Sequence, residues 1–360
     1  MKKRILALLI VGVCWGAPVQ ARTPLAELQK AAEQGDVEAQ FNLGVRYSSI
    51  LMAQSDVQAV AWFRKAAEQG HAAAQYLLGH MYATARGVAQ DDVQAVAWTS
   101  KAAEQGHAMA QSFLGLMYHY GKGVAQDDKL AAAWMRKAAE QGDAEAQYHL
   151  GLMYLNGQGV AQDYKQAVAW FRKAAEQGLA IAQFNLGGKY ETGQGVAKDY
   201  KQAVAWYCKA AEQGDAYAQY NLGRMYESGQ GVAQDYKQAV AWYRKAAEQG
   251  LAYAQYTLGR MYVSGQGVAQ DYKQAVVWYR KAAEQGQNNA QAGLGSLYAY
   301  GNGVVQDYKL AYVWSAVAAA NGHDLADTQR DNVASKLTPS GLEEAQALAG
   351  RYFEQYQPKQ

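Results

Sequence analysis

Six histidines and two cysteines hold most of the metal-binding and nucleophilic potential of this 360-residue chain. A zinc site needs three or four such side chains at short, defined spacings. His71, His80, His107, His119, His149 and His323 show no such spacing, and Cys14 and Cys208 add no cluster. His119 and His149 read as surface side chains. Gly157-Gln158-Gly159 follows a helical pattern, not a strand, so it is a turn device and not a phosphate-binding loop. A serine enzyme of the β-lactamase type needs Ser-x-x-Lys with a later Lys-Thr-Gly. Neither occurs. The expectation is recognition without catalysis: no catalytic residue, no metal and no cofactor.

What positions these residues is a repeat. Trp62, Trp98, Trp134, Trp170, Trp206, Trp242, Trp278 and Trp314 are spaced by 36 residues throughout. A fixed period of this length marks stacked supersecondary units. In the fourth copy Ala146, Gln147, Leu150, Gly151 and Tyr154 share one face of a helix predicted over 144–155. Gly157 and Gly159 break it, because glycine tolerates positive φ. Asp163 is the expected N-cap of a second helix over 164–177, closed by Gly178. Gly151 and Ala167 are small enough to let the two backbones approach, and Trp170 and Phe171 fill space toward neighbouring copies. No proline lies between residues 25 and 338, so nothing interrupts the helices. One pair cannot bury its apolar face alone, but a stack can. The predicted fold is all-α: a right-handed α-solenoid of eight 36-residue helix-turn-helix repeats with helical caps.

The predicted organisation is a signal peptide over 1–21, a capping helix within 22–36, the repeats over 37–324 and a helical cap over 325–360. Lys2, Lys3 and Arg4 precede an apolar run over 5–13, and Val19-Gln20-Ala21 supplies small residues for cleavage. That run is shorter than the ~20 residues a membrane span needs. Removing three basic residues from the 34 Lys and Arg leaves 31 against 32 Asp and Glu. This balance gives no reason to expect nucleic acid as partner, nor membrane insertion after the leader is removed. Cys208 alone then remains, so an internal disulfide is impossible. A monomer is expected in the periplasm, at the cell surface or secreted, with Cys208 available to cross-link two molecules.

The ends and the first copies depart from the pattern. Thr23 is the expected cap of the first helix, with Pro24 inside it. The first copy has an irregular loop over 48–56, one residue short, and the second carries Ala85-Arg86-Gly87 where two glycines belong. After Gly322 one helix runs to about Leu337. A second, begun by Thr338-Pro339-Ser340 and running from Leu342 to about Tyr356, should cover the last face.

Leu150-Gly151, Tyr154, Gly157, Gly159-Val160, Asp163, Ala167, Trp170, Lys173-Ala174-Ala175 and Gly178 resemble the Sel-one-like repeat, a branch of the tetratricopeptide-like superfamily. The resemblance spans about 37–324. It implies a scaffold that assembles protein complexes, in exported bacterial members linked to host-cell interaction or envelope assembly. A cysteine-rich subgroup implies the alternative, a hydrolase or binder of β-lactam or cell-wall-like substrates; the missing motifs above argue against carrying it over.

Comparing the copies with one another separates what stacking requires from what is free to vary. In the fourth copy the variable places of the first helix are Glu145, His149, Leu152 and Asn156, one stripe along the helix. In a curved solenoid the first helices line the concave side. The candidate partner-binding residues on or beside that stripe are Tyr148, His149, Leu152, Asn185, Tyr217, Tyr220, Asn221, Arg224, Tyr253, Tyr256, Thr257 and Arg260. The tyrosines offer large contact area at low entropic cost.

Overall fold

The computed structural model describes residues 24–49 and 53–357; the leader, Thr23 and the middle of the first loop lie outside them. Every regular element among the described residues is a helix. The chain divides into two units, residues 1–177 and 178–360. The first holds α1 (Leu25–Glu33), α2 (Val37–Ser48), α3 (Ala53–Glu68), α4 (Ala72–Thr84), α5 (Asp92–Glu104), α6 (Ala108–Tyr120), α7 (Asp128–Glu140), α8 (Ala144–Asn156) and α9 (Tyr164–Glu176). The second holds α10 (Ala180–Thr192), α11 (Tyr200–Glu212), α12 (Ala216–Ser228), α13 (Tyr236–Glu248), α14 (Ala252–Ser264) and α15 (Tyr272–Ala283). It ends with α16 (Asn288–Tyr300), α17 (Tyr308–Ala320), α18 (Ala326–Ala334) and α19 (Pro339–Gln355). From α2 to α17 these are eight successive packed pairs, the α-solenoid that the tryptophan period predicts.

The fourth pair shows why the sequence folds this way. Asp143 accepts the Ala146 amide at 2.7 Å and opens α8; Gly157, with φ +70°, closes it. Asp163 then accepts from Lys165 and Gln166 and opens α9, as expected. Gly151 has no side chain because Phe171 lies against it: a Cβ there would sit 2.7 Å from the ring. Leu150 and Phe171 are fully buried, each contributing about 1.5–3 kcal/mol of apolar burial. Trp170 does less of the filling than the sequence suggests. It is half-buried, with the Lys173 ammonium 3.9 Å from its ring centroid.

A polar ladder runs through the same core. Gln147 is buried, donates to Ala139 O at 3.0 Å and accepts from Gln177 at 2.8 Å. Gln75, Gln111, Gln219 and Gln255 repeat the arrangement. A buried amide without partners would be costly, so these bonds fix the register of one copy on the next.

The departures have local causes. α3 begins at Ala53, so the first loop is shorter than the predicted 48–56 span. Arg86 tightens the region: it pairs with Asp56 at 2.7 Å and donates to Ser48 O at 2.5 Å. Ala85 takes the left-handed conformation, φ 57°, that glycine holds in other copies. Pro24 stands outside α1 as its N-cap, not inside it. At the far end Thr338 caps α19, which starts at Pro339 and so earlier than Leu342. α18 and α19 pack on α17, with Tyr352 and Tyr356 against Trp314.

Candidate protein-binding face

The first helices place the twelve candidate residues in four environments. Tyr148, Tyr220 and Tyr256 belong to packing. Their rings lie 5.8 Å from Phe171, 5.6 Å from Tyr243 and 5.7 Å from Tyr279, each on the second helix of the same copy. Thr257 is buried and donates back to Tyr253 O. Tyr148 is buried and Tyr220 and Tyr256 are half-buried between the two helices of their copies, while Thr257 turns back onto its own helix.

His149, Leu152 and Asn185 are half-buried. The His149 ring meets Tyr148 edge-on at 5.4 Å. Desolvation holds its imidazole down to about 4, and the charge on His119 adds to this. His119 itself pairs with Asp128 at 2.7 Å. Asn185 turns its amide onto Ile181 O.

Tyr217 and Tyr253 stand out into solvent, 59% and 61% exposed. They occupy the same place in successive copies of the second unit, and the exposed Ile181 holds that place one copy earlier. Large apolar side chains left this exposed at a repeated position are what a binding surface requires.

Arg224 and Arg260 are neither free nor buried. Arg224 donates to Asn221 at 3.1 Å and to Glu191 at 3.1 Å; Arg260 pairs with Glu227. The same carboxylates accept the hydroxyls of Tyr207 at 2.7 Å and Tyr243 at 2.6 Å. Burial first, then these bonds, push both phenols far above their usual range. A cavity of about 510 Å³ opens here, lined by Arg224, Glu227, Ser228, Tyr236, Arg260 and Gln266. It offers charges of both signs. Glu191, Tyr207, Glu227 and Tyr243 are not among the predicted residues. A signal exists: Glu and Arg occur together 33 residues apart at 191/224 and 227/260, and neither occurs at 155/188 or 263/296.

No group of three or more His, Cys, Asp or Glu among the described residues is placed to hold a metal ion. Cys208 is half-buried, 3.3 Å from Glu212; burial, then that carboxylate, push its thiol up. No helix among the described residues is long and apolar enough to cross a membrane.

The chain matches the Sel1 repeat model over residues 28–36, 37–71, 72–107, 108–143, 144–179, 180–215, 216–251, 252–287 and 288–323. The first, partial match falls on α1 and explains its packing on α2 as half a unit. Among solved structures the chain is similar to c5321, a protective antigen of uropathogenic Escherichia coli displaying an SLR fold. The two are 33% identical over 93% of this chain and 96% of that one, with a TM-score of 0.57. It is also similar to a Sel1 repeat protein from Oxalobacter formigenes, 37% identical over 86% of this chain and 90% of that one, with a TM-score of 0.65. No curated protein matches the chain.

Proposed function

Because the chain belongs to the Sel1 repeat family, whose members are generally protein–protein interaction scaffolds, we propose that it binds protein partners through the face of its first helices. It works without catalysis, after export to the periplasm or cell surface. The carrying observation is the pair Tyr217 and Tyr253: solvent-exposed aromatics at one repeated, otherwise variable position, on helices whose buried Ala218 and Leu222 positions are the same in every copy. Asn221, Arg224 and Arg260 flank them with polar groups that give direction to a contact. Export is supported by the leader pattern in residues 1–21, and a surface location by likeness to a protective antigen. Host-cell contact and envelope assembly are the two settings that fit.

The test is capture from envelope and host-cell extracts by the immobilised chain. Tyr217→Ser with Tyr253→Ser should lower capture by about tenfold or more, with an unchanged circular dichroism spectrum. Equal capture by both proteins would remove this face from the account.

A further inference from the structure

The N-termini of the first helices in the first unit form a column of capping side chains. Asp36 accepts the Ala39 amide at 2.7 Å, and Asp143 the Ala146 amide at 2.7 Å. His71 and His107 hold the two places between them. Each uses its Nδ1 for the same task, accepting from Ala74 and from Ala110 at 3.2 Å. A backbone N–H can only donate, so both Nδ1 atoms carry no proton in this structure. Protonation would remove the acceptor and place a cation at the positive end of the helix dipole. A carboxyl group in that position keeps an acceptor oxygen whether ionised or protonated, and this holds for Asp143 although burial raises it from the ordinary carboxylate value.

We propose that His71 and His107 make the N-terminal turns of α4 and α6 acid-labile, while Asp36 and Asp143 keep those of α2 and α8 intact. The surroundings favour this division. His71 stacks on Phe41 at 4.4 Å and points Nε2 at the Glu38 carboxylate, 3.2 Å away. The protonated ring therefore has an ion-pair partner on α2 while its cap is lost. His107 stacks on Tyr76 at 5.2 Å, and Tyr76 in turn feels Asp143 of the next cap. Burial first, and the charge of His71 second, lower the His107 imidazole. A lowered folded-state value means that its cap is fully present above the free-imidazole range, about 6.5. It is then lost as the pH falls through the folded value.

Hydrogen exchange of the full chain, corrected for intrinsic rates, tests this at the Ala74 and Ala110 amides against those of Ala39 and Ala146. Relative protection at α4 and α6 should fall as the pH is lowered from about 7.5, by roughly fivefold per cap once its ring is charged. His71→Asp with His107→Asp, the residue the neighbouring copies use, should abolish that fall while keeping protection at neutral pH. The Asn pair is a second variant with no titration of its own and should behave alike. A pH dependence that is the same in the wild type and both variants would overturn the proposal.

Discussion

The Tyr243 hydroxyl donates to the Glu227 carboxylate at 2.6 Å, and Arg260 from the following copy takes the other oxygen of the same group. Glu191, Tyr207 and Arg224 repeat the arrangement one copy earlier. The arginines that look most available for a partner are thus also ties between copies. Val263 and Ser296 stand at the equivalent places in the next copy, so the tie stops there.

Tyr243→Phe should destabilise α12 and α13 by about 1.5–3 kcal/mol, the worth of a hydrogen bond to a charged group. Repeat arrays do not unfold in one step, so local hydrogen exchange is the appropriate measure. Combined with Arg260→Ala, the loss should fall short of the sum of the two, since both act on Glu227. Strict additivity would mean that the shared carboxylate does not couple them.

Gly159 and Gly142 should respond very differently to alanine. Both have positive φ, +68° and +95°. A Cβ on Gly159 would lie 1.9 Å from Asp128 O at the start of α7, whereas one on Gly142 meets nothing within 4 Å. Gly142→Ala should cost only the left-handed strain, about 1–2 kcal/mol. Gly159→Ala should cost several times that, because the loop must lift off the preceding copy. Local hydrogen exchange around the two substitutions decides it, and equal losses of protection would refute the close approach.

Cys208 occupies a place where Arg136, Arg244 and Arg280 each donate to a tyrosine eighteen residues on, at 2.6, 2.9 and 2.7 Å. Cys208→Arg should restore that bond to Tyr226 and stabilise the copy by about 0.5–1 kcal/mol. The wild-type thiol, with its pKa raised, should alkylate more slowly near pH 8 than a free cysteine, since less of it is thiolate. Alkylation as fast as in an unfolded control would contradict the burial beside Glu212.

His149 should remain neutral through mild acid. Its folded-state value, about 4, lies below that of the unfolded chain. Its neutral form therefore stabilises the fold above the free-imidazole range, and this is lost as the pH falls toward the folded value. Nuclear magnetic resonance titration of the ring settles the point; a midpoint near that of free histidine would contradict it.

Much of the fold is legible because each packing need recurs in every copy. The limits of α8 and α9, the Asp163 cap and the Gly157 stop follow from local backbone chemistry that depends on nothing distant. Other features depend on side chains meeting across copies. The sequence places Tyr148, Tyr220 and Tyr256 beside a variable stripe, but only the structure shows their rings against the second helix. Arg86 reaches Asp56 and Ser48, thirty or more residues back, a contact that no local pattern announces. The paired Glu and Arg at 33-residue separation carry readable information, but only once the copies are known to lie side by side.

The most direct test of partner binding by the first helices is site-specific photo-cross-linking in envelope extract of the native organism. One probe replaces Tyr253 on α14, and the other replaces Gln238, exposed on the second helix α13. The account predicts a discrete adduct from position 253 and none from 238. Adducts from 238 alone, or equally from both, would contradict it.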